Sequence, residues 1–143
     1  MNRINTLGDV TRVAGTPVGT GFLLAGLGLA VWIGLSIWGG IIAESGFRLR
    51  EAWDTAAYFY FGLPLMVVAV GLSGFARPDR PWRWPLWLVG GHQVGVLLIG
   101  LGMQSAPSLL LLTVILAVLL AAFFAVPAFL GALAARRLMQ RAY

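Results

Sequence analysis

WPLWLVGGHQVGVLLIGLGMQSAPSLLLLTVILAVLLAAFFAVPAFLGALAA, residues 84–135, is a run of 52 residues without a formal charge, bounded by Arg83 and Arg136. As one helix it would be about 78 Å long, against a membrane hydrocarbon core of about 30 Å. It therefore has to turn back once. The one weak point is Gln104-Ser105-Ala106-Pro107-Ser108, a polar stretch that contains a proline. Ser105 or Ser108 is placed to cap the helix that follows. The run thus divides into two spans, about 84–103 and 109–135, joined as an antiparallel hairpin.

Working outward, charges punctuate the rest of the chain in the same way. Val13 to Ala43 is uncharged for 31 residues and Thr55 to Ala76 for 22, against the roughly 20 that one crossing needs. With Pro17 in a first helical turn, these give spans of about 18–42 and 55–76. The expected fold is all-α: a single membrane domain, 1–143, with four transmembrane helices in a bundle. Between the first two spans, Phe47 and Trp53 sit among alternating charges, and Arg50 and Asp54 are four residues apart. That pattern predicts a short interfacial helix over 45–54.

Composition supports a membrane solvent. Of 143 residues, 59% are hydrophobic and 10% charged, where a soluble domain has about a quarter charged. All ten basic residues are arginine. The net charge of +5 does not indicate nucleic acid, because the arginines flank apolar spans and act there as topology signals. Eight of the ten fall in the N-terminal segment, the second loop and the C-terminal segment. The positive-inside rule then expects both termini in the cytoplasm. Arginine without lysine is the habit of GC-rich bacterial genomes, so a bacterial inner membrane is the expected location. The first apolar run is longer than a signal-peptide core and is read as an uncleaved span. Trp82, Trp84 and Trp87 are expected at the cytoplasmic interface, and Trp38, Trp53, Tyr58 and Tyr60 at the opposite one.

Candidate functional residues are few. His92 is the only histidine and Gln93 follows it, about 12 Å into the bilayer when counted from Trp84. A polar pair at that depth is costly, which makes it a site candidate. Pro127 falls in the same layer and deprives the Phe123 carbonyl of its helical donor. An interhelical hydrogen bond from His92 or Gln93 to that carbonyl is the structural expectation; a ligand or proton role is the functional one. Pro64 lies within the second span, where the bland expectation is a repaired kink and the functional one a hinge.

Nineteen glycines are too many for loops alone. Gly26, Ala30 and Gly34 in the first span, and Gly91 and Gly95 in the third, stand at the spacing that lets helix backbones approach. Packing inside one bundle explains them; so does a seam with another subunit or a second copy.

The chain has no cysteine, which removes thiolate-metal and disulfide chemistry. One histidine supplies at most one axial haem ligand, and no other residue prepares a porphyrin site. No catalytic, cofactor or metal site is expected, and the chain is not read as an enzyme. The expectation is an accessory, assembly or interaction subunit of a larger inner-membrane complex. The alternative is a small oligomeric channel or transporter with a polar site at His92 and Gln93. Expected partners are the lipid bilayer and other membrane subunits or further copies of the chain.

Overall fold

The computed structural model of the chain describes residues 16–42, 52–102 and 108–141. Among them are four helices and no strand: α1 (Pro17–Ile42), α2 (Leu63–Ala76), α3 (Arg83–Gly102) and α4 (Ser108–Arg141). A π turn, Tyr58–Gly62, leads directly into α2. Among the described residues three stretches are long and apolar enough to cross a membrane: Pro17–Gly39, Tyr58–Ala76 and Thr113–Arg141. α3 is not one of them. It has 20 residues, but His92, Gln93 and five glycines dilute its apolar content.

Local chemistry sets the helix ends. The Thr16 hydroxyl accepts from the Gly19 backbone N–H at 3.0 Å, and Pro17 fills the first helical position, where no donor is missed. Thr55 does the same for the next helical segment: its hydroxyl accepts from the Tyr58 N–H at 3.3 Å and donates to the Ala52 carbonyl at 2.6 Å. Pro64 stands in the first turn of α2, directly after the π turn. It cannot donate back into the preceding turn. That turn is wound as a π turn, in which the Leu63 N–H bonds the Tyr58 carbonyl five residues back.

Several boundaries differ from expectation. α4 does not stop at Ala135 but runs through Arg136 and Arg137 to Arg141. Charge does not end a helix, and Arg, Leu, Met, Gln and Ala are all good helix formers. Of the interfacial helix expected over 45–54, only a 3₁₀ turn at Ala52–Asp54 lies within the described residues. The loop between α3 and α4 lies outside them.

α1 packs chiefly on α3 and α2 chiefly on α4, with α4 also lying against α3. Both main pairs are parallel. Along the first, Gly21 meets Trp87, Ala25 meets Gly91, and Trp32 meets Gly95. Along the second, Gly71 meets Pro127 and Phe75 meets Gly131. At the closest points no side chain separates the backbones. A Cβ on Gly91 would fall on the Ala25 carbonyl, and one on Gly74 on the Ala128 carbonyl.

Gly26, Ala30 and Gly34 take no part in this packing. Ala30 is exposed, and a Cβ on Gly26 or Gly34 would meet nothing within 4 Å. The reason is helical phase. α1 docks through Gly21, Ala25, Gly28 and Trp32, whereas Gly26 lies about 200° around the helix from Gly28. Gly26, Ala30 and Gly34 are therefore not contacts within the bundle, contrary to what their spacing suggests.

The arginine-rich turn is tied to the bundle. Arg136 at the end of α4 donates to the Pro78 carbonyl at 2.7 Å, and the Trp84 indole N–H donates to the Arg77 carbonyl at 3.4 Å. Trp84 is buried in the bundle at this arginine-rich end. Trp82 is exposed, as an interfacial residue would be.

Candidate functional site

His92 sits midway along α3 and is 1% exposed. The close α1–α3 contact brings it there: a Cβ on Gly28 would lie 2.9 Å from the His92 backbone nitrogen and 3.3 Å from its Cβ. Only glycine at position 28 leaves room for both the His92 backbone and its side chain.

The imidazole is enclosed by aromatic rings. Trp32 of α1 meets it edge-on with centroids 4.7 Å apart, and the Tyr58 ring lies 6.1 Å away. Trp53, from the 3₁₀ turn, packs edge-on against Trp32 at 4.8 Å. The Tyr58 hydroxyl and His92 Nε2 are 3.1 Å apart and share a hydrogen bond. That bond joins α3 to the π turn that begins α2.

The expected bond from His92 to the Phe123 carbonyl is not what the structure holds. The partner of His92 is Tyr58, and Pro127 instead lies at the α2–α4 contact, beside Gly71. The α1–α3 seam sets the imidazole against Trp32 and Tyr58.

Of the two tyrosines expected at the same interface, Tyr58 is 3% exposed and Tyr60 75% exposed. A periodicity signal does mark Tyr58. Tyr58, Gly62, Met66, Val70 and Gly74 recur every four residues, and all five are buried. A strict four-residue row drifts around a 3.6-residue helix. The wider π turn offsets part of that drift and returns Tyr58 to the row.

His92 Nδ1, Trp32 Nε1, Ser36 Oγ and both amide atoms of Gln93 are buried and without a hydrogen-bond partner among the described residues. Neutral imidazole has one donor and one acceptor nitrogen. Whichever way the Tyr58 bond runs, Nδ1 is left open. Trp32 and Ser36 are one helical turn apart on α1 and add an indole donor and a hydroxyl. Each unmet group costs about 1–3 kcal/mol, and membrane interiors offer no bulk water to relieve it. Such groups are ordinarily matched by an ordered water or a small polar ligand.

Among the described residues no three His, Cys, Asp or Glu side chains gather as a metal site would require. The cluster offers one imidazole, one phenol, one indole and one hydroxyl. These can accept and donate hydrogen bonds and relay a proton.

The fold and this cluster together define a helical membrane protein with a buried polar centre among the described residues. No protein-family model, curated protein or solved structure matches the chain.

Proposed function

We propose that the chain is a four-span, non-enzymatic interaction subunit of a larger complex in a bacterial inner membrane, with both termini cytoplasmic. The observation that carries this reading is the outward face of α1. Gly26, Ala30 and Gly34 form a row with open space beyond it. Lipid gives apolar helices no hydrophobic reason to associate, so close contact through small residues is a principal route to assembly. The bundle already uses that device twice, on other faces. An unused third row fits a transmembrane helix of another subunit.

The parallel pairing supports four crossings. Helices one and three of an alternating topology must run the same way, as must two and four. α3, at 20 residues, is about 30 Å long and matches the hydrocarbon core.

The test is co-purification of a tagged chain from its native membrane. Gly26→Leu and Gly34→Leu should release a stoichiometric partner yet leave the isolated chain's melting temperature unchanged. Retention of the same partner by both variants would refute the reading.

A second reading, a small oligomeric channel or transporter, draws on the unmatched buried atoms around His92. It predicts that His92→Gln keeps the fold and abolishes a transport activity of the homo-oligomer.

A further inference from the structure

One groove remains unexplained by the proposed function. It follows the outer side of α3 beside α1, has a volume of about 470 Å³ and opens outward. Trp82, Leu86, Trp87 and Val94 line it, with Gly90 along its length and Arg83 at one end. Ala25 of α1 closes the far side.

Three features specify an occupant. The first is length. From Arg83 to Val94 is eleven residues, or about 16 Å along the helix, which is half of a hydrocarbon core of about 30 Å and thus the depth of one leaflet. The second is polarity. Apart from Arg83, the side chains lining it are apolar or indole. The third is charge. Arg83 pairs with no carboxylate among the described residues. It also shares its end of the bundle with Arg80 and with Arg136, whose bond to Pro78 places the end of α4 there. Asp79, the one acid in that turn, is exposed.

We propose that this groove binds one anionic phospholipid, with an acyl chain lying along Gly90 toward Val94 and the phosphate held at Arg83. A guanidinium fork suits a phosphate's paired oxygens. Trp82, one residue before Arg83, is exposed, and an exposed indole favours the headgroup boundary. Gly90 is the enabling residue. A Cβ there would meet nothing within 4 Å, so the space beside it belongs to the groove and not to a helix contact. The proposal rests on the chain crossing a membrane and is independent of whether it has a protein partner.

Thermal melting of the full chain in detergent, titrated with phosphatidylglycerol, tests this. Phosphatidylcholine with the same acyl chains and inorganic phosphate serve as the comparison arms. The expected result is saturable stabilisation by phosphatidylglycerol, weaker stabilisation by phosphatidylcholine and none by phosphate alone. Arg83→Gln should weaken the phosphatidylglycerol midpoint about fivefold, the worth of one arginine near a phosphate layer, and leave the phosphatidylcholine response unchanged. Gly90→Leu should fill the groove, abolish both saturable responses and leave the lipid-free melting temperature unchanged. Equal responses to the two lipids would overturn the proposal, as would stabilisation by phosphate alone. A Gly90→Leu chain that still responds to phosphatidylglycerol would overturn it too. So would lipid-free dimers that Gly90→Leu dissociates, because the groove would then be a protein seam.

Discussion

The α1–α3 and α2–α4 contacts are built alike and filled differently. Both are parallel, and in both a glycine backbone meets a carbonyl with no side chain between: Gly91 on Ala25, and Gly74 on Ala128. The α2–α4 contact is apolar. Its nearby hydroxyl, Ser73, donates to the Ala69 carbonyl of its own helix at 2.8 Å and offers nothing across the seam. The α1–α3 contact instead carries His92, Trp32 and Ser36, with several polar atoms unmatched. One seam closes without polar groups, so polar groups are not what holds such a seam together. The cluster around His92 needs another reason, either the geometry of the Tyr58 bond or a small polar guest.

The largest expected effect comes from the glycines. Gly91→Leu and Gly74→Leu each drive a side chain into backbone that has no rotamer to yield. Each should destabilise the bundle by about 3 kcal/mol or more, read as loss of the cooperative melt in detergent. Similar losses at both positions would confirm that the two seams work by one device. A loss at only one would break the comparison.

These two seams also show what the sequence could and could not reveal. Uncharged runs long enough to cross, set between arginines, are visible in any reading, because charge is excluded from hydrocarbon regardless of what a helix touches. Which face of α1 turns inward is another matter. Gly26, Ala30 and Gly34 keep a perfect four-residue spacing, yet the bundle uses Gly21, Ala25, Gly28 and Trp32. In lipid, both faces of a helix are apolar, so hydrophobicity carries no phase information. His92 was conspicuous as a lone polar residue. Its partner was not, because a tyrosine near a helix start is normally interfacial, and only the buried row from Tyr58 to Gly74 distinguishes it. Pro127 packs beside Gly71 at the α2–α4 contact, because a count of residues along each span does not say which helices are adjacent.

A smaller effect sharpens the contrast. The Tyr58–His92 bond should contribute about 0.6 kcal/mol, and no more than about 1.7, the range for hydrogen bonds within membranes. A double-mutant cycle of Tyr58→Phe and His92→Leu, scored by detergent or denaturant stability, measures it. A coupling well above that range would mean the polar cluster does hold the seam, contrary to what α2–α4 teaches. A cycle of His92→Leu with Pro127→Ala should show no coupling, since the two residues serve different contacts.

The most direct measurement uses the absence of cysteine. Single cysteines at Ala30, on the outward face of α1, and at Val118, exposed on α4, are to be cross-linked in native membranes with a short reagent. The account predicts one discrete adduct at Ala30, with the mass of a different subunit added, and none at Val118. Adducts at both positions or at neither would contradict it. An Ala30 adduct of twice the chain's own mass would contradict it as well, because the row would then join two copies of this chain.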